Sequence, residues 1–129
     1  MPIQYSIDRN NRLLTRADGV VTFDEINAHL DLEQLNRDLD RSELIDARDA
    51  TTDLMPAQVR QLVLRAADML RVVKLGPTAI VTTDDVLYGM ARMYSVLAET
   101  VGARTEVFRD LESAARWLDQ VTVNGDATP

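Results

Sequence analysis

The sequence predicts an α/β domain: a mixed, mostly parallel sheet of about five strands with an initial antiparallel hairpin and four main helices, in the order ββαβαβαβα. Three observations carry this reading. At the start of the chain Ile3, Tyr5 and Ile7 alternate with Gln4, Ser6 and Asp8, the period of a half-solvated strand. After Thr22, stripes of helical period alternate with short β-branched runs, the pattern of parallel strands joined by crossovers. The stretch from Thr78 to Val101 turns at Thr83-Asp84-Asp85 from a β-branched run into one long amphipathic helix, the unit around which the rest is organised.

Taken in order, Arg9-Asn10-Asn11-Arg12 supplies turn residues, and Leu13 to Gly19 reads as the second strand, with Val20-Val21 as a bridge. Thr22-Phe23-Asp24-Glu25 matches a capping box and starts helix one. Its apolar residues divide into two stripes: Phe23, Ile26 and Leu30 on one side, and Ala28, Leu32, Leu35 and Leu39 nearly opposite. One straight helix cannot bury both against one sheet, so either the helix breaks near Asp31 or another surface covers the second stripe. Leu44 to Ala47 reads as a short core strand, followed by a polar connection from Arg48 to Met55. Pro56 suits the first turn of helix two, whose stripe of Val59, Leu62, Val63, Ala66, Met69, Leu70 and Val73 runs on to Gly76-Pro77.

In the central helix Val86, Met90, Met93, Tyr94, Leu97, Ala98 and Val101, with Leu87 and Ala91 beside them, form one wide expected core face, with Asp84 or Thr83 as cap and Gly102 as terminator. Tyr88, Arg92, Ser95 and Glu99 fall opposite. Arg104 to Phe108 is the last strand, and Asp110 caps a helix that turns Leu111, Ala114, Ala115 and Leu118 inward. Residues 1–120 read as one domain and 121–129 as a flexible tail, loose from Asn124 onward.

Composition narrows the function. The 129 residues suffice for a core, 46% are hydrophobic, and the absence of cysteine removes disulfides, thiol chemistry and cysteine-ligated metals. With 21 acids against 14 bases, a net charge of −7 and no basic run, nucleic acid is not an expected partner. No stretch is long and apolar enough for a membrane span, and no leader pattern opens the chain, so the expected location is cytoplasmic.

The carboxyl ends of parallel strands, where ligands of open sheets usually bind, should hold Asp46, Asp49, Asp53, Asp84, Asp85 and Asp110. Carboxylates there disfavour phosphate-bearing cofactors, and no glycine-rich loop is present, so no cofactor is expected. Asp46, Asp49 and Asp84 could hold a divalent ion or accept a phosphoryl group, but no lysine follows Phe108 as phosphoacceptor chemistry of the receiver type would require. His29, the single histidine, reads as a surface residue near Asp31 and Glu33. Tyr88 and Arg92, four apart beside Gly89, pair residue types that favour binding surfaces, with Gly89 allowing a close backbone approach.

The blocks Gly19 to Glu25, Leu44 to Ala50, Tyr88 to Tyr94 and Val107 to Leu118, in this order, resemble those of small bacterial STAS-like proteins, the fold of anti-sigma-factor antagonists. The resemblance covers Ile3 to Asp119 and implies successive β-α units behind an edge strand, without an established activity. Related antagonists carry a phosphorylatable hydroxyl where this chain reads Asp53-Leu54-Met55-Pro56, so that switch is not expected. The leading expectation is a non-enzymatic protein-interaction module that pairs with itself as a homodimer or with another protein, its surface drawn from Tyr88, Arg92, Leu32, Leu35 and Leu39. The alternatives are a carrier of a small apolar ligand or lipid, like the CRAL-TRIO domains this fold resembles in outline, and a metal-dependent enzyme or phosphoacceptor at the acidic edge.

Overall fold

The structure, a computed structural model, describes residues 3–127, and side chains as far as residue 122. Strands β1 (Ile3–Ile7), β2 (Leu13–Val21), β3 (Glu43–Thr52), β4 (Thr78–Val81) and β5 (Thr105–Phe108) form one sheet in sequential order. β1 and β2 are antiparallel and every later pairing is parallel. The helices are α1 (Phe23–Leu35), α2 (Pro56–Leu70), α3 (Asp85–Glu99) and α4 (Leu111–Ala127). When successive crossovers step in one direction with one hand, their helices lie on one face of the sheet. α1, α2 and α3 line that face, and α4 covers the other, where Ala114 and Leu118 pack on Ala79 and Val81.

Local chemistry sets the element ends. In the first hairpin Asp8 Oδ1 accepts from the backbone of Asn10 and Arg12, and Asn11 takes a φ of 61°. Thr22 and Glu25 form the reciprocal capping box of α1. Asp84 accepts from the Leu87 amide at α3, Asp110 accepts from the Ser113 amide at α4, and Gly102 ends α3 with a φ of 97°.

Several expectations are corrected. β2 continues through Val21, and β3 continues through Thr52 instead of giving way to a loop at Arg48. Its pairing with β2 shifts register between Arg16 and Asp18, which leaves Arg48 and Asp49 both exposed between buried Ala47 and Ala50. A bulge of this kind breaks the period-two pattern that identifies a strand. α1 is unbroken at Asp31 and ends at Leu35, so Leu39 leaves the outer stripe; its carbonyl accepts from the Gly76 amide.

The buried residues of α3 are Leu87, Ala91 and Ala98 from the expected wide face together with Ser95, expected opposite, whereas Val86 is exposed. The Ser95 hydroxyl is satisfied by donating to the Arg92 carbonyl, which lets a polar residue enter the core side. A Cβ on Gly89 would meet nothing within 4 Å, so no close backbone approach occurs there. Helical backbone extends through Ala127, where the sequence reads as a tail, and Thr128 and Pro129 lie outside the described residues.

Candidate functional site

Parallel register aligns Leu13, Glu43, Thr78 and Thr105 in one row at the amino ends of β2 to β5. Two positions further along lie Thr15, Ile45, Ile80 and Val107, so the face toward α1–α3 is polar at its amino edge and aliphatic beyond it. Between this face and the three helices the side chains leave a cavity of about 190 Å³. Ile3, Ala17, Ile26, Ile45, Ile80, Leu87, Met90 and Ala91 supply much of its wall, and His29, Glu43 and Thr15 its polar end. A smaller cavity of about 70 Å³ lies beside it, also lined by Glu43 and Tyr94 and, in addition, by Glu33, Asp38 and Gly76.

α1 covers this region in an unusual way, since its buried residue is Glu33, 2% exposed. Taken at about 100° per residue, Glu33 lies between His29 and Leu30 on the stripe begun by Ile26, so the helix that turns Ile26 inward must turn His29 and Glu33 inward too. That stripe was the available signal. The charged neighbours Asp31 and Glu33 make the histidine read as a surface residue, whereas its side chain is only 8% exposed. Polar contacts hold α1 in place: Arg65 donates to the carbonyl and side chain of Asn27 and pairs with Asp31, Tyr5 donates to Asp38, and Asn36 donates to Tyr5.

His29 Nε2 lies 2.9 Å from Glu43 Oε2 and 3.5 Å from Glu33 Oε2, while Thr15 Oγ1 donates to Glu43 Oε2. The Tyr5 ring meets the imidazole edge-on at 5.5 Å between centroids. Glu33 Oε2 is buried without a hydrogen-bond partner among the described residues. Burial pushes the Glu33 carboxyl up to about 10, and the charge and hydrogen bonding of Glu43 and the charge of Asp38 push the same way. Burial likewise raises the Tyr94 phenol, with the Glu43 charge second.

The expected site residues are placed elsewhere and are not brought together. Asp46 pairs with Arg48 at 2.9 Å, and that hydrogen bond holds its carboxyl below the usual range. Asp49 pairs with Arg16, and Asp84 caps α3. At the same edge Asp85 pairs with Arg109, whose guanidinium lies 4.0 Å from the Tyr88 ring centroid. Arg92 reaches Glu106 at 3.3 Å. Among the described residues the histidine and acids that converge closely enough for an ion are His29, Glu33 and Glu43, at the opposite edge of the sheet.

No protein-family model and no curated relative matches the chain. Among solved structures it is similar to an uncharacterised protein of the DUF3478 family with a SpoIIAA-like fold from Shewanella loihica, with a TM-score of 0.55 and 18% identity over 90% of this chain and 91% of that one. No described helix is long and apolar enough to cross a membrane. The sequential five-stranded sheet behind an antiparallel edge strand, its flanking helices and this likeness together identify the fold as SpoIIAA-like, that is, STAS-like.

Proposed function

We propose that this STAS-like domain is a non-enzymatic binding module whose ligand is a small, mainly apolar molecule held between the sheet and α1–α3. The observation that supports this is the cavity of about 190 Å³ and its aliphatic wall. Close-packed interiors leave few gaps larger than a water molecule. At roughly 24 cal/mol per Å³, an apolar gap of this size forgoes on the order of 4–5 kcal/mol of packing, which a bound molecule offsets. Since an apolar cavity of about 150 Å³ takes benzene, the fitting size is a single ring or a short alkyl chain, well below a phospholipid. Glu43 at the polar end favours a neutral donor, such as a hydroxyl or an indole N–H, over an anion.

The test is a thermal-shift and calorimetric titration with phenol, indole and hexanol, with hexanoate as the anionic comparison. The neutral donors should raise Tm and hexanoate should not. Ala91→Leu, which fills the cavity from α3 with three further carbons, should raise the stability of the free protein by up to about 2 kcal/mol at roughly 0.8 kcal/mol per buried carbon, and abolish the shift. No shift with any neutral probe, or equal shifts in the variant, would overturn the reading.

A second reading, self-association, is supported by α1. Leu32 is 43% and Leu35 77% exposed on the side away from the cavity. A two-fold pairing would bury the same stripe on both copies. Light scattering should then report a dimer, and Leu32→Glu with Leu35→Glu should give a folded monomer, since neither leucine contributes to the core. A wild type that stays monomeric at high concentration would sink the idea.

A further inference from the structure

The carboxyl group of Glu33 has a role that apolar ligand binding leaves unexplained. It is 2% exposed, one of its oxygens has no hydrogen-bond partner among the described residues, and that oxygen faces the histidine. We propose that His29, Glu33 and Glu43 form a binding site for a divalent first-row transition-metal ion, with Zn²⁺ as the best match. This inference does not rest on the cavity being a ligand site.

The donor atoms of the three residues all lie within 4.8 Å of one another, with His29 Nε2 at 2.9 Å from Glu43 Oε2 and 3.5 Å from Glu33 Oε2. Tetrahedral bonds of about 2.0–2.1 Å place neighbouring ligand atoms about 3.4 Å apart, a spacing that the two His29 distances bracket. The helix supplies two ligands at i and i+4, which share a face, and the first residue of β3 supplies the third. Thr15 donates to Glu43 and orients it, as a partner behind a metal ligand does.

Charge favours the same ion. As metal ligands two carboxylates and an imidazole carry two negative charges, which a divalent cation cancels, and the proton that burial keeps on Glu33 is released when the ion binds. Asp38, the other acid nearby, is already committed to Arg41 and Tyr5. An imidazole among the ligands selects zinc and its neighbours over magnesium or calcium, whose preferred donors are oxygens. Three protein ligands leave an open position, which can face the larger cavity that His29 and Glu43 line.

The experiment is a titration of chelator-treated full-length protein with Co²⁺, read by its visible absorption, and with Zn²⁺ in competition. One ion per chain is expected, with the visible bands of a low-coordinate cobalt site. Glu33→Gln and His29→Gln should each weaken binding at least tenfold, while Asp46→Asn with Asp49→Asn should leave it within about twofold, the ordinary scatter of distant, independent sites. Thermal melts of every variant exclude unfolding as the cause. Ala91→Leu should keep the metal affinity, so loss of apolar-ligand binding and loss of metal binding remain distinguishable. Absence of saturable one-to-one binding, or unchanged affinity in Glu33→Gln, would overturn the site.

Discussion

Alanine at Gly76 is expected to destabilise the protein by about 3 kcal/mol or more, the upper end of overpacking costs. A Cβ there would lie 2.1 Å from the Arg41 carbonyl oxygen, 2.4 Å from its carbon and 2.8 Å from the Asp40 oxygen. All three are backbone atoms, so no side-chain rotation relieves the overlap. The Gly76 amide donates to Leu39 and the Glu43 amide donates to Pro77, which ties together the chain entering β3 and the chain entering β4. Relief by displacement would therefore disturb the row of Glu43 and Thr78 that shapes the amino edge. At roughly 2.1 cal/mol/K per residue, such a loss lowers Tm by about 10 °C in a domain of this size. Gly89→Ala is the control: in open space on a helix, alanine should add about 0.5–1 kcal/mol. A Gly76→Ala melt within a few degrees of wild type, about 1 kcal/mol by the same scaling, would mean that the two entering chains separate freely.

The second large effect concerns Glu33→Gln. In the folded protein, burial, followed by the Glu43 and Asp38 carboxylates, pushes the Glu33 carboxyl from 4.5 to about 10. Between those values the native state keeps a proton that the unfolded chain has lost, so this residue makes stability fall as pH rises from about 4.5 and restores it as pH drops. Glutamine has the shape of the protonated acid and does not titrate. With chelator present, Glu33→Gln should be more stable than wild type at pH 7, by about 1–3 kcal/mol on the scale of a buried group that is costly to ionise. The gap should narrow toward pH 5. His29, Glu43, Asp38 and Tyr94 face the same space and remain in both proteins, so the difference between the two pH profiles isolates Glu33. Parallel profiles would show that Glu33 is not the proton-retaining group.

Much of the architecture was legible because it depends on neighbours in sequence. The capping box at Thr22, the proline that opens α2, the cap at Asp84 and the period-two start of β1 each act within a few residues through backbone geometry and hydrogen bonding. The order of strands and helices follows from those local signals. The bulge between β2 and β3 was hidden because register is a property of two strands, and it turned Arg48 and Asp49 outward together.

The site was hidden for a related reason. A polar residue on an apolar stripe has the same spelling whether it faces water or a partner held across the fold, and only Glu43, delivered by the start of β3, decides that His29 and Glu33 face inward. At the carboxyl edge, where ligands of parallel sheets usually bind, the acids are caps or partners of arginines. The sequence by itself therefore determined the elements and their order, products of short-range periodicity and capping, while the STAS-like fold was implied by its resemblance to a known family. Only the tertiary structure decided that Ser95 is buried and Val86 exposed on α3, the cavity beneath α1 and the buried His29–Glu33–Glu43 cluster, because each depends on which side chains from distant segments compete for the same space.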